Sequence, residues 1–174
     1  QIRRTMPSHL FSREYLLTPV SGSNALFPFD VREACRSVEI PPLTTDEEQS
    51  AQYILGGDVA VSDKERGDFA CYTVLKIVSG KPLIYHKKFL LKGTGTGEQG
   101  KLVAELHKQF NFSKILVEQT GLSYGVVDFL LHDDSTKYVT EGFNTTRKSK
   151  MEILGLLETT MRNCSIKLPI DDSL

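Results

Sequence analysis

The sequence predicts a mixed α/β domain: a sheet whose first three strands are antiparallel neighbours and whose later strands are reached through helical crossovers. Three observations carry this. Short runs rich in β-branched and aromatic residues fill positions 53–91. Helical spacing replaces them after residue 95, and strand-like and helix-like stretches then alternate towards the end.

The first strand is read over Tyr53–Val61, an apolar run with one carboxylate, Asp58, inside it. A polar connection, Ser62–Gly67, leads to a second strand over Phe69–Val78, and Ser79-Gly80-Lys81-Pro82 turns the chain into a third, Leu83–Leu91. Such short joins favour antiparallel pairing. After a glycine-rich loop, Leu102, Val103, Leu106 and Phe110 share one helical face. Ile115–Glu118 is a short buried strand ending on a carboxylate, and Tyr124, Val127, Leu130 and Leu131 form the next helical stripe. Tyr138–Phe143 is read as a fifth strand. Ser149-x-x-Glu152 has capping-box spacing and opens a helix through Met151, Leu154, Leu157 and Met161.

Ahead of this string, residues 1–36 are punctuated by Pro7, Pro19, Gly22 and Pro28 and read as an arm cut from a longer polypeptide. Residues 37–50, with Pro41-Pro42 and a capping-box spacing at Thr45–Glu48, read as a linker. The expected division is 1–50 arm and linker, 51–174 globular domain.

Composition narrows the chemistry. The chain has 174 residues, 40% hydrophobic and 25% charged, with no apolar run long enough to span a membrane and no opening signal peptide. Three dispersed cysteines, Cys35, Cys71 and Cys164, give neither a disulfide framework nor a zinc site, so an intracellular, non-secreted protein without zinc is expected. The net charge is −1, yet residues 37–68 hold 8 acidic against 2 basic groups while the remainder is mildly basic. That balance permits nucleic-acid binding by a local basic face without predicting it.

Asp58 and Glu118 carry the most chemistry. Alone, Asp58 reads equally well as a turn cap beside Gly56-Gly57, and Glu118 as a solvated strand end. A right-handed crossover, however, sets the fourth strand parallel to the first and brings the two carboxylates together at the sheet's carboxyl end. Adjacent acids repel unless they share a proton or a divalent cation, and oxygen-only ligands suit Mg²⁺ or Mn²⁺.

The stretch Gly56-Gly57-Asp58-Val59-Ala60, with Asp68-Phe69-Ala70-Cys71-Tyr72-Thr73-Val74 after it, resembles the opening hairpin of the nuclease domain of viral, tailed-phage-type terminase large subunits. Val117-Glu118-Gln119-Thr120-Gly121 resembles that family's second acidic motif. The helix near Ser149, with Lys148 and Lys150, and then Ile166-Lys167-Leu168-Pro169, is similar to the segment beyond that motif in the family. Phe11–Leu16 and Ala25-Leu26-Phe27 resemble the join between the family's motor and nuclease domains.

The resemblance implies an RNase H-like fold and a metal-dependent endonuclease that cuts concatemeric double-stranded DNA during viral genome packaging. It implies two Mg²⁺ or Mn²⁺ ions, with Asp58 bridging them, Glu118 binding one, and Asp68 an outer ligand. Lys148 and Lys150 would contact the scissile phosphate. It also implies portal or capsid and small-subunit partners inside a host cell. The family's third acid has no counterpart here: Asp171 and Asp172 read as polar residues leading into a helix, so the domain is expected to be truncated at its carboxyl end. Another RNase H-like nuclease or resolvase, or a non-catalytic DNA- or capsid-binding module, are the alternatives.

Two motifs mislead. Gly95-Thr96-Gly97-Glu98-Gln99-Gly100-Lys101 matches a phosphate-binding loop until Leu102 replaces the Ser or Thr that would hold Mg²⁺, and it is read as a flexible connection. His132-Asp133-Asp134 looks metal-binding but falls between a helix and a strand, and is read as a helix-ending loop. Lys87, Lys88 and Lys92, with Arg147, Lys148 and Lys150, are either solvated surface or the walls of a DNA groove.

Overall fold

The computed structural model describes residues 25–61 and 67–170. Phe11–Leu16 of the arm, most of the connection between the first two strands, and Asp171 and Asp172 lie outside the described residues. In chain order the elements are α1 (Phe29–Arg36), α2 (Thr45–Gln49), β1 (Gln52–Asp58), β2 (Ala70–Ile77), β3 (Leu83–Leu91), α3 (Thr96–Phe110) and β4 (Lys114–Glu118). A one-turn 3-10 helix (Gly121–Ser123), α4 (Tyr124–His132), β5 (Thr140–Phe143), α5 (Arg147–Arg162) and β6 (Ile166–Lys167) complete it.

The strands form one six-stranded sheet in the order β5-β4-β1-β2-β3-β6. β1, β2 and β3 are antiparallel neighbours, while β4 lies parallel to β1 and β5 parallel to β4. This is the mixed sheet the element string implied. Because side chains alternate along a strand, Leu55, Tyr72, Val74, Ile115 and Val117 share one face. They close a core with Val103 and Leu106 of α3 and Val126, Val127 and Leu130 of α4. Burying each such aliphatic side chain contributes about 1.5–3 kcal/mol, so this face fixes the register. Asp58 and Glu118, one residue out of phase, point to the other face.

Several boundaries differ from the sequence reading. β1 ends at Asp58 instead of running on to Val61, and β5 begins at Thr140. The expected glycine-rich loop belongs to α3, which starts at Thr96: the Gly95 N–H donates to Glu98 Oε2, and Gly100 lets the Phe129 ring of α4 approach so closely that a Cβ would sit 2.5 Å from it. The capping boxes are also displaced. Thr44 pairs with Glu47 at α2, and Thr146 with Ser149 at α5, so Ser149 is the third residue of its helix and not the cap. Neighbouring threonines (Thr44-Thr45, Thr145-Thr146) offer several cap positions, and the carbonyl geometry chooses.

Part of the expected arm is structured. α1 packs Val31 and Cys35 against Met161 of α5 and Ile166 of β6, forming a second, smaller core. The Cys35 thiol donates to the Met161 carbonyl at 3.1 Å, and Lys167 Nζ donates to the carbonyls of Arg36 and Val38, 2.6 Å each, at the end of α1. The linker helix α2 is held by ion pairs from Glu47 to Lys81, 3.3 Å, and from Glu48 to the buried Lys76 of β2. Among the described residues, no helix is long and apolar enough to cross a membrane.

Candidate metal centre

The parallel register of β1 and β4 sets Gly57 opposite Val117, which brings the next residues, Asp58 and Glu118, together at the carboxyl end of adjacent strands. The Asp58 carboxyl is pushed above the usual carboxylate range, first by partial burial, then by a side-chain hydrogen bond with Glu118 and by the repulsion of its charge. Adjacent carboxyls repel, and a proton or a cation between them relieves that repulsion. Lys150, in the first turn of α5, acts in the opposite sense and favours the Asp58 anion.

The local sequence explains why β1 can end this way. Gly57 lies directly opposite Tyr72 of β2, and a Cβ there would meet the Tyr72 ring at 2.7 and 2.8 Å and Val117 at 3.3 Å. Only a residue without a side chain lets that ring lie flat on the backbone beside Asp58. Burial, and after it the Asp58 charge, holds the Tyr72 phenol well above its ordinary value, which keeps it a neutral hydrogen-bond donor. Its hydroxyl donates to Gln99 Oε1 at 2.8 Å, and Gln99 Nε2 donates to the carbonyls of Ala60 and Thr94, 3.0 Å each.

The other expected site residues fare differently. Asp68 is exposed two residues before β2, and among the described residues no group of three His, Cys, Asp or Glu side chains forms. The structure therefore gathers Asp58 and Glu118 but does not bring Asp68 to them. Lys148 points away, its side chain 89% exposed and 3.9 Å from Glu152, whereas the charge of Lys150 is felt at Asp58. His132-Asp133-Asp134 ends α4, in line with the sequence reading: Asp133 Oδ1 accepts from the backbone N–H groups of Ser135 and Thr136 at 3.0 and 3.2 Å. Sequence reasoning gave no role to Tyr72 or Gln99.

The donor set at this edge fits a hard divalent cation. It offers two oxygen ligands, adjacent and charge-frustrated, on a strand end that keeps solvent access, with Cys71 of β2 paired across from Asp58. A cation between them would offset the repulsion of the two carboxyls.

No protein-family model matches the chain, and no curated protein sequence matches it. Solved structures do. The large terminase nuclease of thermophilic phage G20c with bound magnesium is similar over 86% of this chain and 76% of its own, at 14% identity and TM-score 0.65. The same nuclease was also solved with cobalt and with zinc. The human cytomegalovirus terminase nuclease domain, manganese-soaked and inhibitor-bound, matches 83% of this chain and 76% of its own, at 10% identity and TM-score 0.54. The large terminase of bacteriophage HK97 matches 97% of this chain, which spans 39% of that protein, at 14% identity and TM-score 0.56. At such identities the shared property is architecture: the chain has the RNase H-like fold seen in these terminase nuclease structures.

Proposed function

We propose that this chain is the nuclease domain of a viral DNA-packaging terminase, a Mg²⁺- or Mn²⁺-dependent endonuclease acting on concatemeric double-stranded DNA. The observation that carries the reading is the Asp58–Glu118 pair at adjacent parallel strand ends, within a fold shared with terminase nucleases.

Asp58 and Glu118 would hold the ions, with Asp68 a candidate outer ligand. Paired ions about 3.5–4 Å apart would supply Lewis-acid stabilisation of the departing oxygen and a more acidic water. The chain's own part is to hold the two carboxylates side by side. Lys150 balances the anionic pair and lies where a phosphate would approach, while Lys148 adds charge farther out. Contacts of this kind position the backbone and read little sequence. Residues ahead of α1 would lead back to a motor domain, and portal or capsid and small-subunit partners would belong to that larger assembly within the host cell.

Plasmid nicking by the domain tests the reading. Mn²⁺-dependent cleavage should disappear in Asp58→Ala and in Glu118→Ala. Cleavage that survives Asp58→Ala would sink the assignment. A non-catalytic binding module, favoured by the absence of a third acid among the described residues, predicts salt-sensitive DNA binding indifferent to both substitutions.

A further inference from the structure

The glycine-rich segment before and within α3 resembles a phosphate cradle without being one, and its buried glutamine has a different use. Gln99 is wholly buried, and three of the four hydrogen-bonding positions of its amide are taken. Two N–H groups donate to the carbonyls of Ala60 and Thr94, and the oxygen accepts from the Tyr72 hydroxyl. The orientation is dictated by chemistry: flipping the amide would set its oxygen against two carbonyls.

These contacts bracket Asp58. Ala60, two residues after it, is anchored by Gln99. Gly57, the residue before it, lies under the ring of the very tyrosine that Gln99 holds. Past Val61 the chain enters the connection to β2, and Gln99 ties the end of β1 to a helix packed in the core, beside the Ser123 hydroxyl, which donates to the Val59 carbonyl at 3.5 Å. Tyr72 and Gln99 touch neither carboxylate, and they lie on the helix-covered face of the sheet.

We propose that Gln99 and Tyr72 form a positioning unit for the metal centre, setting the backbone that carries Asp58 and thereby the distance between the Asp58 and Glu118 carboxylates. The inference rests on the reading that this pair binds divalent cations. Groups that orient a ligand's support commonly change metal affinity by about 10–100-fold when removed. Gln99 acts through the backbone, so roughly tenfold is expected for Gln99→Met and several-fold for Tyr72→Phe, which deletes one hydroxyl and keeps the ring over Gly57.

The test is Mn²⁺ affinity of the chain by electron paramagnetic resonance, together with amide hydrogen exchange of the metal-free protein. Leu130→Ala, in the α4 side of the core, serves as the control for general destabilisation. The expected result is weaker Mn²⁺ binding in Gln99→Met and Tyr72→Phe, with faster exchange confined to residues 57–61, while Leu130→Ala melts lower and keeps wild-type affinity. Wild-type affinity in folded Tyr72→Phe, or an equal loss in Leu130→Ala, overturns the proposal. Should Gln99→Met fail to fold, Tyr72→Phe decides alone. Asp58→Asn separates the two levels: if it binds Mn²⁺ like the wild type, the metal-centre reading itself falls, whatever Gln99 does.

Discussion

Two adjacent glycines should respond oppositely to the same added methyl. At Gly57 an alanine Cβ would stand 2.7 Å from Tyr72 Cε1 and 2.8 Å from Cδ1, with Val117 at 3.3 Å on the other side. The ring cannot swing away: Tyr72 is fully buried and its hydroxyl is fixed on Gln99. Overpacking of this kind costs about 1–3 kcal/mol, and a tethered ring argues for the upper half, about 2–3 kcal/mol. In a chain of this size that is a fall of roughly 4–12 °C in Tm. At Gly56 the added Cβ meets nothing within 4 Å, and a strand glycine replaced by alanine gains up to about 1 kcal/mol through the unfolded chain. Urea denaturation of metal-free protein would measure both, read as a shift of midpoint at constant slope. Tyr72→Leu supplies the second arm of a double-mutant cycle, because it removes the ring atoms that the methyl would strike. The reasoning is refuted if Gly57→Ala is neutral, or if its cost is the same with Leu at position 72.

The electrostatics give further expected outcomes. The folded-state pKa of Asp58 is raised by burial and by Glu118, so the stabilisation by its protonated form is full below the unfolded pKa and lost as pH rises through the folded one. Without metal, Asp58→Asn should therefore melt higher than the wild type at pH 7, with the gap closing towards pH 3; a lower Tm at pH 7 would contradict the upward shift of Asp58. Asp133 has the reverse sign. Its carboxyl is held below the usual range, first by the Ser135 hydroxyl and, among further contacts, by the backbone N–H groups of Ser135 and Thr136, so its contribution is present above the unfolded pKa and lost as pH falls through the folded value. Asp133→Ala should flatten the acid limb of the stability profile below about pH 4. Glu48→Ala strands the buried Lys76 ammonium and should cost about 1–3 kcal/mol, less than a fully buried pair because Glu48 is half exposed. Lys76→Met should cost much less; equal losses would show that the pair itself supplies the stability.

What the sequence disclosed, and what it withheld, divides by distance along the chain. Asp58 and Glu118 were legible because each interrupts an apolar strand, and because one crossover rule places those strands side by side. The stripes Val103–Leu106 and Val127–Leu130 were legible because a helix repeats its own pattern locally. α1 was not: it buries only Val31 and Cys35, and the partners that make those two residues a helix face, Met161 and Ile166, lie more than 120 residues away. β6, two residues long, carries no period at all. Gln99 escaped for a subtler reason. A polar residue among glycines reads as a loop, and its partners Ala60, Tyr72 and Thr94 come from three separate segments. Asp68 marks the remaining limit, since a strand pattern tells which face a residue takes but not how far a flanking turn reaches.

The clasp between α1 and β6 has a consequence for the order of synthesis. Lys167 seals the carbonyls of Arg36 and Val38 across sequence separations of 131 and 129 residues. At about 5–20 residues per second, translation needs roughly 7–26 s to reach it after Arg36. During that interval the central core can assemble around β1–β4, but α1 has no Met161 or Ile166 to cover it. The first described helix to leave the ribosome is thus secured only when the last strand arrives. A nascent chain halted before residue 161 would carry Val31 and Cys35 bare, a handle by which chaperones could distinguish the unfinished protein from the finished one.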